Sequence, residues 1–192
     1  MGDFEEGMKY WRDAGHVARR TLEAMKEELQ PGKTWHEIIE AAERFIHRHG
    51  GKPAFPGTIA VNNIAAHFTT EHTVSPPEGW EGDMVLQKGD LVKIDYGVHI
   101  KGHIGDNALT FEVGNTNNHT EQIKAAREAR DAAIEMMHPG TPWHKVGEAA
   151  AQPSLDAGFQ PIRNLCGHQL KPWVLHAGVS VPSYLCGPDH QG

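Results

Sequence analysis

Apolar residues recur at near-helical spacing along residues 5–30, at Met8, Trp11, Leu22, Met25 and Leu29, and the run ends at Pro31-Gly32. That spacing with that stop predicts a helix. A second helix follows. Thr34 with Glu37 three residues on makes a capping box, and Trp35, Ile38, Ile39, Ala42, Phe45 and Ile46 form one apolar stripe closed by Gly50-Gly51. Residues 118–138 repeat the helical pattern up to Pro139-Gly140, and Thr141-Pro142 is expected to open another helix with a capping threonine and a proline at N1. Pro153 falls inside that helix, where a missing N–H and a ring clash cost on the order of 3 kcal/mol, so an early break is expected there. Between the helix pairs the period changes: Gly89-Asp90 reads as a turn, 91–98 as a strand and 104–113 as its antiparallel partner.

The two helix pairs match in detail. Pro31-Gly32, Trp35-His36 and Glu40-Ala41-Ala42 reappear at a constant offset of 108 as Pro139-Gly140, Trp143-His144 and Glu148-Ala149-Ala150. A period this long implies an internal duplication. One domain over 1–192 is expected, with a first copy at about 5–113 and a partial second copy at about 118–182, built as two α+β halves that share one sheet and pack helices on one face. At the same offset the counterparts of Asp95 and Asp106 would fall at about 203 and 214, past Gly192, so the second half is expected to be incomplete.

Composition narrows the function. A net charge of −7 offers no basic field for phosphates, which argues against nucleic acid. No apolar stretch is long enough to span a bilayer and no signal peptide opens the chain, so a cytoplasmic protein without membrane contact is expected. Cys166 and Cys186 are too few for a disulfide framework and lack zinc-site spacing, which leaves two free thiols. Fourteen histidines exceed what one site uses, so position must select among them.

If the hairpin turns about Ile100-Lys101, Asp95 stands directly opposite Asp106, with Cβ atoms about 5 Å apart. Opposed like charges ask for a cation, and oxygen ligands at this spacing suit a pair of divalent ions. Asp106, between Gly105 and Asn107, also reads as an ordinary turn residue. Asp95 tips the balance, because a strand core such as Val92-Lys93-Ile94-Asp95-Tyr96 disfavours aspartate unless something holds it. His67, His168 and His176 each follow a small or apolar run that sets an imidazole at the inner edge of a strand or loop, although singly each reads more readily as a packed histidine. His36-Glu37-Ile38-Ile39-Glu40 begins like a zincin helix but has Glu40 where a second histidine is required.

Several segments taken together resemble the type 2 methionine aminopeptidases: Gly50-Gly51-Lys52-Pro53-Ala54-Phe55-Pro56, Asn63-Ile64-Ala65-Ala66-His67, Lys93-Ile94-Asp95-Tyr96-Gly97-Val98-His99-Ile100, Ile104-Gly105-Asp106-Asn107-Ala108, Gly167-His168 and Leu175-His176-Ala177-Gly178. Their order is the family's, from about Tyr10 to Pro182, and Gly-His-Gln-Leu with Leu-His-Ala-Gly is similar to the archaeal and eukaryotic type. The resemblance implies an α+β pita-bread fold. It also implies two divalent metal ions (Co, Mn, Fe or Zn) with Asp95, Asp106 and His168 among their ligands, and His67 and His176 as catalytic, substrate-contacting residues. The implied substrate is the N-terminal methionine of nascent polypeptides. The family's two later glutamate ligands have no counterpart in these 192 residues, and the sequence drifts from the family pattern after Pro182. Two other functions compete with the peptidase: a partner-binding pita-bread protein without catalysis, and a proline-directed peptidase of the same fold.

Overall fold

The computed structural model describes residues 2–70 and 84–187. The chain divides into two compact units, Met1–Asn118 and His119–Gly192.

In the first unit α1 (Gly2–Glu28) and α2 (Trp35–Arg48) precede the strands β1 (Lys52–Pro53), β2 (Thr58–Val61), β3 (Leu91–Ile100) and β4 (His103–Glu112). The expected capping box forms: Thr34 accepts from Glu37 N, and the Glu37 carboxylate accepts from Thr34 N at 2.8 Å. Trp35, Ile38, Ile39, Ala42 and Ile46 are buried as the stripe requires. Phe45, the sixth expected member, instead stacks on His49 with centroids 3.9 Å apart. In α1 the gap between Trp11 and Leu22 is filled by Ala14, Val17, Ala18 and Thr21, all buried. Thr21 tolerates burial because its hydroxyl donates to Val17 O at 2.8 Å.

β3 is the central strand. β4 pairs along one edge, and β1 and β2 lie end to end along the other. Its even-numbered residues Val92, Ile94, Tyr96 and Val98 enter the core shared with α1 and α2, each apolar side chain contributing roughly 1.5–3 kcal/mol by leaving water. Lys93, Asp95, Gly97 and His99 therefore share the opposite face.

The β3–β4 register differs from the expected one. The turn is Lys101-Gly102, with φ of 49° and 85°, and it pairs Ile100 with His103. A two-residue hairpin turn with both central residues left-handed accepts glycine at the second position, whereas a turn about Ile100-Lys101 would force β-branched Ile100 into that region. Asp95 consequently pairs with Ala108, and Asp106 with Gly97.

The second unit holds α3 (Thr120–Met136), α4 (Trp143–Asp156), β5 (Gly167–His168) and β6 (Ser180–Val181). Two expectations need correction. Pro142 is the N-cap of α4, not N1, and Thr141 makes no side-chain cap. Pro153 does not break the helix: α4 runs on to Asp156 and stops at Gly158, whose φ is +80°. The proline sits in the last turn, where few hydrogen bonds remain to be lost. Nor is a single shared sheet seen among the described strands, since β5 and β6 pair only with each other. Cys166 and Cys186 are free, as expected. No helix among the described residues is long and apolar enough to cross a membrane. Residues 188–192, the end of the segment that drifts from the family pattern, lie outside the described residues.

Candidate metal centre

Asp95 and Asp106 occupy one face of the β3–β4 hairpin as diagonal neighbours. The register moved by two residues, an even number, which changes their partners and keeps their face. Diagonal positions lie roughly 7–8 Å apart, so the argument from directly opposed charges falls away. The span still suits a divalent ion between the carboxylates, since oxygen ligands bind such ions at about 2.0–2.6 Å. Asp95 is half-buried and its Oδ1 is screened from solvent. This donor set, two aspartates on the face away from the core, fits a hard divalent cation.

Two neighbours on that face carry no chemistry that the sequence alone singled out. Lys93 donates from Nζ to Asn62 O at 2.7 Å, and burial holds its pKa below the usual lysine value. Asn62, at φ 52°, is fixed further by Nδ2 donating to Asp90 and by Oδ1 accepting from Leu91 N, each at 2.9 Å. The loop that follows returns at Phe68, whose carbonyl accepts from Ile59 N at 2.8 Å. His67, exposed and at φ 62°, is therefore held one residue from a contact to β2, the strand that pairs Thr58 with Asp95.

Phe55 is the second. Lys52–Pro53 and Thr58–Val61 follow β3 in registers that differ by two residues, so the chain bulges between them. A Cβ on Gly97 would stand 2.2 Å from the Phe55 ring. The ring thus covers Gly97 on the carboxylate face, directly beside Asp106. A glycine inside a strand marks such close approaches, and that was the legible signal.

In the second unit His168 and His176 come together, with ring centroids 4.4 Å apart. Lys171 bridges to Val174 and His168 pairs with Ser180, so three steps along one limb are matched by six along the other. The surplus lies around Gly178, at φ +103°, and it brings His176 back beside His168. Nδ1 of His168 is screened from solvent. The five candidate residues thus form one cluster per unit: two carboxylates with His67 near their strand, and two imidazoles. Among the described residues no single group of three or more His, Cys, Asp or Glu side chains could hold a metal ion.

Residues 9–189 match metallopeptidase family M24. The methionine aminopeptidase of Thermococcus onnurineus is 41% identical over 170 residues, covering 88% of this chain and 54% of that protein. That of Methanothermus fervidus is 36% identical over 190 residues, covering 93% of this chain and 95% of that protein. The chain spans about half the length of the first curated relatives it matches. Among solved structures, the methionine aminopeptidase of Thermotoga maritima superposes with a TM-score of 0.82 at 24% identity, over 94% of this chain and 72% of that one. The prolidase of Pyrococcus furiosus gives 0.75 at 25% identity, over 93% and 51%. The fold is thus α+β of the pita-bread type.

Proposed function

Because the chain belongs to metallopeptidase family M24, we propose that it is a methionyl aminopeptidase that acts on the N-terminal methionine of newly made polypeptides in the cytoplasm, within one peptidase domain and with two divalent ions. Membership of a metallopeptidase family implies a metal; the number of ions and the substrate belong to this proposal. The observation that carries it is the pair Asp95 and Asp106 on one face of a hairpin whose other face is core.

In this reading Asp95, Asp106 and His168 hold the metal. When bound, the ions supply Lewis acidity toward a peptide carbonyl and lower the pKa of a water. His67 and His176 contact substrate and offer N–H donors where negative charge develops on the scissile oxygen. Phe55 presents apolar surface beside the carboxylates, which suits a thioether side chain and excludes bulk water.

The test measures methionine release from a Met-Gly-Met peptide by the purified chain loaded with Mn²⁺ or Co²⁺, with Mn²⁺ affinity measured in parallel. Asp95→Asn and Asp106→Asn are expected to weaken Mn²⁺ binding and to abolish release. Hydrolysis of Xaa-Pro peptides without release from Met-Gly-Met would replace the proposal with a proline-directed peptidase, and metal binding unaffected by either substitution would refute the ligand assignment.

A further inference from the structure

His36 and Glu40, the residues that make the start of α2 look like a zincin helix, stand one turn apart on the same helix face. The Thr70 carbonyl can only accept, so its 2.8 Å contact with His36 Nδ1 makes that nitrogen the donor. The Thr70 hydroxyl lies 3.4 Å from the same atom, and Thr70 is buried. Across the ring, Nε2 is screened from solvent and faces Glu40 Oε1 at 3.5 Å. A ring with its proton on Nδ1 keeps the bond to Thr70 whether neutral or charged, and protonation of Nε2 adds an ion pair with Glu40. Glu40 is steadied in turn by Arg44, whose Nη1 donates to Oε2 at 3.4 Å.

Thr70 ends the loop that carries His67. The outgoing limb is fixed at Asn62, whose N–H donates to Leu91 O at 2.9 Å, and at Ile64, whose N–H donates to Val61 O at 3.1 Å. On the returning limb the Phe68 carbonyl accepts from Ile59 N at 2.8 Å, and the Phe68 ring meets Trp35 edge-on with centroids 5.6 Å apart. The side chains that grip this limb, Trp35 and His36, are the first two residues of α2, set in place by the capping box of Thr34 and Glu37. Between the limbs His67 is exposed at φ 62°. A residue other than glycine keeps a left-handed φ only where its surroundings over-determine it.

We infer that His36, oriented by Glu40, is a positioning residue that sets the place of His67. The anchoring stands on this geometry alone; its consequence for catalysis rests on the proposed function, in which His67 contacts substrate. Glu40, which disqualifies the helix as a zincin, is the residue the anchor requires, since a carboxylate can accept from Nε2–H where a second histidine would compete for it.

The test compares the full chain with His36→Ala, His36→Asn and His36→Gln. An asparagine amide offers an N–H donor where Nδ1 stands, whereas glutamine offers one further out, where Nε2 stands. The first readout is the His67 imidazole resonances of the metal-free chain, identified by their loss in His67→Asn; the second is methionine release from Met-Gly-Met with Mn²⁺. His36→Ala is expected to shift and broaden the His67 resonances and to leave Mn²⁺ affinity unchanged. It is expected to lower kcat by about ten-fold, less than the roughly 10²–10³ for an oxyanion donor removed outright, with KM within about two-fold. His36→Asn is expected to restore the resonances and kcat, and His36→Gln to restore neither. Unmoved His67 resonances in His36→Ala, or no rescue by asparagine, would overturn the inference. If the parent chain releases no methionine, the peptidase reading fails, and the resonances decide the anchoring by themselves.

Discussion

Gly105 offers the sharpest test of how the carboxylate hairpin is held. It lies on the core face of β4, opposite Val98, and a Cβ there would stand 2.6 Å from Gly15 N, 2.7 Å from Gly15 Cα and 2.8 Å from the Ala14 carbonyl carbon. These are backbone atoms of α1, so relief requires the helix or the strand to move. Gly105→Ala gains about 0.5–1 kcal/mol by removing glycine's freedom from a strand and loses up to about 3 kcal/mol to overpacking against atoms that cannot rotate away. The net is a destabilisation of about 2 kcal/mol. With a urea slope of about 2 kcal/mol/M, the unfolding midpoint falls by about 1 M. Gly97→Ala supplies the contrast. Its Cβ would meet the Phe55 ring at 2.2 Å, and that side chain can turn aside, so the stability cost stays below about 1 kcal/mol. The displaced ring leaves the carboxylate face, and under the proposed function methionine release is expected to fall instead. Urea titration followed by tryptophan fluorescence, with Trp35 fully buried in this unit, reads the first effect and peptide hydrolysis the second. An unchanged midpoint for Gly105→Ala, or a larger shift for Gly97→Ala than for Gly105→Ala, would refute the packing argument.

Tyr96 donates to Ile39 O at 3.2 Å, and burial, with Glu43 nearby, pushes its pKa far above the usual 10.0. The folded chain keeps that proton when the unfolded chain has lost it, so stability is fully present below pH 10 and declines above it, by up to about 1.4 kcal/mol per pH unit. Tyr96→Phe should cost about 1 kcal/mol at neutral pH and flatten the alkaline decline by one proton; an identical slope in both chains would contradict the assignment. Gly178, at φ +103° with no atom within 4 Å of a built Cβ, should tolerate alanine sterically but pay about 1–2 kcal/mol in backbone strain. Gly178→Ala is expected to separate His176 from His168, seen as changed imidazole chemical shifts by NMR; unaltered shifts would sink the claim that this residue sets their contact.

Legibility followed the physics of each element. Stops and caps act locally, so the helix ends at Pro31-Gly32, the capping box of Thr34 and Glu37, and the close of α2 before Gly50 could be read directly. Phe45 and Pro153 could not, because their fates depend on surroundings: an aromatic at the stripe's edge found His49, and a proline one turn from the helix end had little left to disrupt. The hairpin register failed for a different reason. Two candidate turns a single residue apart were separated only by whether isoleucine or glycine takes a left-handed φ. The common face of the two carboxylates was legible all the same, because moving an antiparallel turn by one position changes the pairing sum by two, and side chains alternate with period two. Asp95 and Asp106 lost their direct pairing and kept their common face. An error in turn placement therefore alters the distance between two strand carboxylates by one diagonal step, but it cannot send one of them into the core. By the same alternation Lys93 shares the Asp95 face whatever the register, and Gly97 marked a close approach in the sequence; what needed the true pairing was that Gly97 stands against Asp106, which sets the Phe55 ring beside that carboxylate.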